Sequence, residues 1–182
     1  SQSRAQTILF ADVSGSTRLF ETKGDVEARR LIAAVLDALS IVCVQHGGRV
    51  IKTIGDEIMC TLPTALDGML AACDMQRKMA RDGDFARDNL AVRIGLHHGA
   101  ALEEAGDVYG DAVNIAARMT SLAKRQQIVT TAATVNGVEG RAPDGGAAGW
   151  AVAARPRDSN PARQRREVDD QRLRWRLHRS HR

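Results

Sequence analysis

Apolar positions in the first 140 residues fall either in short runs or at helical spacing, which predicts strands and helices in turn. Apolar positions recur on one helix face over residues 25–46 and 64–81, which predicts two helices. Four short apolar runs predict strands over residues 6–13, 49–53, 57–62 and 90–98. The order β-α-β-β-α-β is that of a ferredoxin-like core, an α+β fold with one sheet and helices packed on it.

The pattern after residue 98 predicts further elements of the same domain. Residues 99–103 are predicted to pair back on the strand before them, and residues 106–110 are predicted to form a loop. A helix is predicted over residues 112–123, a strand over 127–130 and a short helix over 131–138.

The end of the chain differs in composition from the rest. Residues 141–149 are rich in Gly, Ala, Pro and Asp, and residues 155–182 hold ten arginines against four acidic residues. Such segments lack the apolar periodicity of a packed core and are predicted to be flexible. We expect a domain over residues 1–140, followed by a Gly/Ala-rich and then Arg-rich tail over residues 141–182.

Charge and composition exclude several classes of protein. Residues 155–182 carry a charge of +6, so the remaining residues sum to −2 of the overall +4. Nucleic-acid binding would rest on the tail alone and is not expected. No apolar run reaches the roughly 20 residues that a membrane helix needs. Cys43, Cys60 and Cys73 are scattered through apolar segments, which is typical of reduced core cysteines in a cytoplasmic protein.

Two carboxylates are placed where chemistry would need them. Asp12 ends a predicted buried strand, and Asp56 lies in a hairpin between two strands. These strands are neighbours in a ferredoxin-like core, so the two carboxylates could converge, and hard oxygen ligands suit Mg²⁺ bound with phosphate. The alternative is that Asp56 only forms a turn and Asp12 only caps a helix.

Two further sets of residues suit a nucleotide. The loop over residues 14–17 offers backbone N–H groups near a helix start, as phosphate-binding loops do. The same small residues also serve as an ordinary helix cap. Asn114 and Arg118 lie four apart, hence on one helix face. They could orient a sugar and hold a phosphate there, or form a polar outer stripe.

Three stretches of the sequence together resemble the class III adenylate and guanylate cyclases. They are ILFADVSGSTRL, IKTIGDEIM and GDVYGDAVNIAARM, in the family's order and at fitting separations. The strand at residues 92–99 also looks like the family's strand before the nucleotide loop. The resemblance covers roughly residues 6–138 and is greatest to adenylate cyclases. It implies the class III nucleotidyl cyclase fold and conversion of ATP to 3′,5′-cyclic AMP and pyrophosphate.

The resemblance implies a metal site and a phosphate site at matching positions. Two divalent ions, Mg²⁺ or Mn²⁺, would be held by Asp12, Asp56 and the carbonyl of Val13. The backbone of the segment Gly15, Ser16 and Thr17 would cradle phosphate.

Further matching positions imply the residues that select the base and act in the reaction. The purine-selecting pair matches Lys52 and Asp107, with Val108 beside them among the substrate-binding residues. Lysine and aspartate at these positions fit adenine and oppose guanine, because guanine presents an N1–H donor and an O6 acceptor. Asn114 would orient the ribose, and Arg118 would stabilise the charged transition state.

The resemblance also implies partners. Because the family builds each active site from two chains and this sequence carries both sets of residues, we expect a homodimer with shared sites. Regulatory domains outside this chain are further expected partners. The alternatives are a guanylate cyclase, or a degenerate module that binds nucleotide or dimerises without turnover.

The sequence departs from the family after Val138. Members usually continue into a Val-Lys-Gly type segment whose lysine contacts the triphosphate, whereas residues 139–182 contain no lysine. An arginine could take the place of this lysine.

Overall fold

The computed structural model of the protein describes residues 2–138 and 150–153. Seven strands form one sheet; they are β1 Gln2–Ser14, β2 Arg49–Ile54, β3 Glu57–Leu62, β4 Ala91–Glu104, β5 Asp107–Tyr109, β6 Ile128–Thr131 and β7 Trp150–Ala153. Six helices accompany them; they are α1 Ser16–Lys23, α2 Asp25–Gln45, α3 Ala65–Arg81, α4 Gly83–Arg87, α5 Asp111–Leu122 and α6 Ala132–Asn136.

The central four strands have the ferredoxin-like arrangement. They lie in the order β2-β3-β1-β4, and each pairs antiparallel with its neighbour. Strand β6 adds to β4 in parallel, β7 adds to β6 in parallel, and β5 folds back on the end of β4. The α+β prediction with a βαββαβ core is confirmed.

The two faces of β1 serve different layers, because successive side chains of a strand point to opposite faces. Leu9, Ala11 and Val13 belong to the main core, together with residues of α2 and α3. Ile8 and Phe10 belong to a smaller cluster, which includes Ala112 and Ala116 of α5. Asp12 continues this second row, so it lies on the sheet face that α5 partly covers.

Helix α5 approaches the sheet unusually closely at one glycine. A Cβ atom built on Gly95 would lie 2.6 Å from the carbonyl carbon of Met119, and closer still to the amide nitrogen of Thr120. Only glycine leaves room for the helix backbone at this distance. The position of α5 on β4 therefore depends on this residue.

Several predicted boundaries need correction. Residues 99–103 do not pair back on the preceding strand; they continue β4, because β1 extends back to Gln2 and offers partners along its whole length, up to the pair Gln2 and Glu103. The predicted loop at 106–110 contains β5, which is the segment that does fold back. The sequence pattern did not predict α1, α4 or β7. Apart from the four residues of β7, the predicted tail over 141–182 lies outside the described residues.

Within residues 2–138 and 150–153, no helix combines the length and the apolar character that crossing a membrane requires.

Candidate active site

The strand pairing brings the two predicted metal-binding aspartates together. Asp12, near the end of β1, is the cross-strand partner of Glu57, the first residue of β3. Asp56 precedes that partner, and its backbone oxygen accepts a hydrogen bond of 3.1 Å from the N–H of Val13. Asp12 and Asp56 are both half-buried. The convergence expected from the sequence is therefore present in the fold.

Arg93 is a further residue of this site, and the sequence analysis did not single it out. It is the partner of Asp12 on the other side, in β4. Its Nε and Nη2 atoms both lie 2.7 Å from Oδ2 of Asp12. A lone arginine in the apolar run of β4 was the available signal, but its contact with Asp12 depends on strand register between residues 81 apart.

The electrostatics of the site reflect crowded acids. Burial is the main cause that raises the pKa of Asp12; Arg93 opposes this effect, and repulsion from Asp56 adds to it. Burial also raises the pKa of Glu57, with repulsion from Asp12 as the next cause. Burial first, and then repulsion between neighbouring acids, disfavours the charged forms of Asp12 and Glu57.

The described residues fit a divalent cation only in part. Among them, no group of three or more His, Cys, Asp or Glu side chains is gathered as a metal cluster. Asp12 and Asp56 supply two hard carboxylates, and the Val13 backbone adjoins Asp56. The remaining oxygens that Mg²⁺ requires would come from the Val13 carbonyl, from water and from substrate phosphate, which is the usual mode for this ion.

The predicted phosphate loop directly follows β1. Gly15 is the N-cap of α1 and has a left-handed backbone with φ of 87°, which favours glycine. Ser16 and Thr17 begin the helix, so their N–H groups lack partners within the helix and are available to an anion.

The side chain of Arg125 lies against this loop. Nη1 of Arg125 lies 3.6 Å from the point that a Cβ on Gly15 would occupy. Nη2 of the same side chain donates a hydrogen bond of 2.8 Å to Oδ1 of Asn89. Lys23, at the end of α1, pairs with Asp88 at 3.1 Å. The turn at residues 88–89 therefore holds both ends of α1.

Lys52 and Asp107 lie in direct contact, as the predicted purine-selecting pair. Nζ of Lys52 is 2.7 Å from Oδ2 of Asp107, although the residues are 55 positions apart. The N–H of the buried Val108 donates to Oδ1 of Asp107 at 2.8 Å. The hydrogen bond from Lys52 is the main cause that lowers the pKa of Asp107.

Asn114 and Arg118 lie on α5, one turn apart, and are exposed and half-buried respectively. Neither side chain makes a hydrogen bond or ion pair within the part of the chain that the structure describes. Within the described residues, no hydrogen bond or ion pair joins the aspartates Asp12 and Asp56 to any of four other predicted site residues, which are Lys52, Asp107, Asn114 and Arg118.

Comparisons with known proteins show which proteins the chain resembles. An adenylate cyclase of Glutamicibacter nicotianae is 34% identical over 136 residues, which cover 72% of this chain and 32% of the relative. A pH-sensitive adenylate cyclase of Mycobacterium tuberculosis is 32% identical over 150 residues, which cover 82% of this chain and 36% of the relative. The chain thus spans about a third of the length of these curated relatives.

A solved structure and a family model complete the comparison. The adenylate/guanylate cyclase/hydrolase of Silicibacter pomeroyi has a TM-score of 0.66 at 30% identity, over 79% of this chain and 85% of that chain. The model of the adenylate and guanylate cyclase catalytic domain matches residues 1–144. This match covers most of the sequence, so the chain belongs to the adenylate and guanylate cyclase catalytic domain family.

Proposed function

We propose that the protein is an adenylate cyclase, which converts ATP to 3′,5′-cyclic AMP and pyrophosphate at a homodimer interface. The contact between Lys52 and Asp107 is the main support for ATP as the substrate. Adenine offers an acceptor at N1 and a donor at N6, which an ammonium and a carboxylate complement. Guanine reverses both groups, so the same pair opposes GTP. The adenylate cyclase relatives at about one-third identity support the same substrate.

Asp12, Asp56 and the carbonyl of Val13 are the residues that would hold divalent metal. Mg²⁺ or Mn²⁺ bound there would neutralise triphosphate charge and favour ionisation of the ribose 3′-hydroxyl. The fold positions these metal ligands, because the pairing of β1 with β3 holds the two carboxylates beside the predicted phosphate loop at Gly15.

Arg93 and Arg125 are the cations that this site offers to phosphate. Arg93 forms an ion pair with Asp12 at the end of the sheet, and the side chain of Arg125 lies against Gly15. Both are arginines, whose planar donors match phosphate oxygens. They supply positive charge near the triphosphate in a chain that lacks lysine over residues 139–182.

Arg118 and Asn114 supply the groups that act on the transition state. The reaction forms a bond from the ribose 3′-oxygen to the α-phosphorus and breaks the bond to pyrophosphate, so negative charge develops on the phosphoryl oxygens. A guanidinium without a hydrogen-bond or ion-pair partner among the described residues can bind this charge. Asn114, one turn earlier, can hold the ribose in line.

A second copy of the chain would bring these groups together. Within the described residues, no hydrogen bond or ion pair joins Asp12 or Asp56 to the Lys52–Asp107 pair. Large apolar side chains are exposed beside the Lys52–Asp107 pair, with Ile54 at 52% and Tyr109 at 49% exposure. Such a rim of apolar surface favours coverage by another chain, and a two-fold axis would create two equivalent sites.

The first test is product formation from ATP or GTP with Mn²⁺ or Mg²⁺. We expect cyclic AMP from ATP, its loss in Asp56→Ala, and normal activity in Asp37→Ala, which removes an exposed acid from α2. Cyclic GMP as the main product would instead establish a guanylate cyclase. No product from either nucleotide, with nucleotide binding retained, would establish the degenerate module.

The second test is complementation between two inactive variants. Asp12→Ala and Arg118→Ala should each be inactive alone, and a mixture should regain up to about a quarter of wild-type activity, because half of the random dimers contain one intact site out of two. Arg29→Ala changes an exposed arginine of α2 and should keep full activity. An inactive mixture of folded, exchanging dimers would refute shared sites.

A further inference from the structure

Lys52 and Asp107 form an ion pair between two strands that do not pair with each other. Lys52 lies in β2, at one edge of the sheet, and Asp107 begins β5, which pairs with β4. Nζ of Lys52 lies 2.7 Å from Oδ2 of Asp107, and the two side chains are 43% and 27% exposed. The pair therefore presents a donor and an acceptor side by side, and both can reach a ligand from solvent.

Both charged groups can make further hydrogen bonds. An ammonium donates three hydrogen bonds, and a carboxylate accepts about four. Lys52 uses one donor for Oδ2 of Asp107, and the N–H of Val108 donates to Oδ1. The backbone bond holds the carboxylate in place, whereas Lys52 carries its charge on a flexible stem. The ammonium can therefore follow a base whose edge lies closer to the sugar.

The base edges that match this pair are those with an amino group. Adenine carries the N6 amino donor beside the N1 acceptor, and cytosine carries the N4 amino donor beside the N3 acceptor. Guanine and uracil present the reverse, an oxygen acceptor beside an N–H donor. A lysine and an aspartate therefore complement adenine and cytosine alike, and they oppose guanine and uracil.

We infer that the Lys52–Asp107 pair recognises cytosine as well as adenine, which makes CTP a second substrate of the proposed cyclase. This inference rests on the proposed function and extends its range of substrates. The 3′-oxygen of CTP would lose its proton to solvent and form a bond to the α-phosphorus, and the bond from that phosphorus to the bridging oxygen would break. Pyrophosphate takes the electron pair of the broken bond, so the products are 3′,5′-cyclic CMP, pyrophosphate and a proton.

The first test compares analogues of CTP and UTP, because the two pyrimidines share one ring and differ at this edge. 3′-Deoxy triphosphates lack the hydroxyl that reacts, so calorimetry with Mg²⁺ and the full 182-residue chain measures binding without turnover. The CTP analogue should bind about a hundredfold more tightly than the UTP analogue, since two hydrogen bonds are lost and each accounts for about tenfold. The ATP analogue should bind about tenfold more tightly still, because the larger ring buries more surface.

An exchange of the two charges tests whether this pair reads the base. Lys52→Glu combined with Asp107→Lys keeps an ion pair between β2 and β5 but reverses donor and acceptor, so the UTP analogue should bind about tenfold more tightly than the CTP analogue. Asp84→Arg combined with Arg87→Asp is the matched control. It exchanges the charges of an exposed ion pair at 3.3 Å and should keep the wild-type order. Melting temperatures equal to that of the wild type would confirm that both variants are folded.

Turnover separates this inference from the proposed function. The wild type should form cyclic AMP from ATP and, with kcat/KM about 10–100-fold lower, cyclic CMP from CTP. The inference is overturned if the CTP and UTP analogues bind equally, if the exchanged pair keeps the wild-type order, or if ATP gives product and CTP gives none. Cyclic AMP formation would still support the proposed function in each of these cases. If no nucleotide is cyclised but the CTP analogue binds preferentially, the proposed function fails and the recognition of cytosine stands.

Discussion

Gly95→Ala is the substitution for which the structure predicts the largest effect from one methyl group. The new Cβ would lie 2.6 Å from the carbonyl carbon of Met119, whereas ordinary contacts between heavy atoms are about 3.5–4.0 Å. The obstacle is helix backbone and cannot rotate away, so α5 must retreat by about 1 Å or more. Overpacking of this kind costs about 1–3 kcal/mol.

We expect a loss near the upper end of that range. The clusters that α5 makes with the sheet include Met119 and Ala116, both fully buried, and a retreat of the helix would loosen both. A loss of about 3 kcal/mol lowers the melting temperature of a chain of this size by roughly 10 °C. Gly83→Ala is the matched control, because a Cβ there meets nothing within 4 Å.

The two variants should therefore separate in denaturant unfolding and in activity. Gly83→Ala should be as stable as the wild type or slightly more stable, since alanine favours α4. Gly95→Ala should also reduce kcat about a hundredfold, because α5 carries Asn114 and Arg118 and a displacement of 1 Å is costly in catalysis. If Gly95→Ala unfolds within about 0.5 kcal/mol of the wild type, the close contact of α5 with β4 is wrong.

Three other predictions each concern one side chain. Arg125→Gln should raise KM for ATP about tenfold with kcat little changed, because the guanidinium lies against Gly15 of the predicted phosphate loop, and Arg125→Lys should recover part of the loss. His97→Asn should weaken the dependence of stability on pH. Burial lowers the pKa of His97 in the folded protein, so the unfolded chain binds a proton at a higher pH than the folded chain does. The wild type therefore loses stability as pH falls below the ordinary histidine pKa of 6.5. Thr64→Val should cost about 1 kcal/mol, because it removes the side-chain cap of α3 at 3.0 Å.

Each of these predictions has a result that contradicts it. For Arg125, an unchanged KM in steady-state kinetics would show that the loop does not need this guanidinium. For His97, unfolding free energies measured from pH 7.5 to 5 with equal slopes in wild type and variant would exclude it as the titrating group. For Thr64, an unchanged free energy of unfolding would show that water replaces the cap.

Periodicity alone predicted the elements that the core needs most. Strand β3, with five consecutive buried residues, matches the predicted segment 57–62 at both ends. Helix α2 buries a stripe that includes Leu31, Val35 and Leu39, and it matches within one residue. Helix α1 was not predicted because only Leu19 of its eight residues is buried. Strand β5 has three residues, too few to show alternation.

The candidate site was predicted only where the family resemblance supplied the missing spatial information. Nothing in the local sequence of Lys52 or Asp107 indicates that they meet, and the resemblance alone grouped them; the structure places them in contact. Arg93 and Arg125 were not predicted, because their contacts arise from strand register and from turns far apart in sequence. The roles assigned to all these residues stay predictions until activity is measured.

The charged residues around Asp12 depart from the apolar pattern by which the sequence predicts the strands at this end of the sheet. Elsewhere β1 follows its apolar pattern, but here Asp12, Asp56 and Glu57 gather around one compensating cation, Arg93. With all of them ionised, the local charge is −2, an excess that a stability criterion alone would select against. The N–H of Val13, bonded to the backbone of Asp56, keeps the strands paired despite this repulsion. One divalent cation bound there would neutralise an excess of this size, and such departures from consistency favour a functional role for these carboxylates.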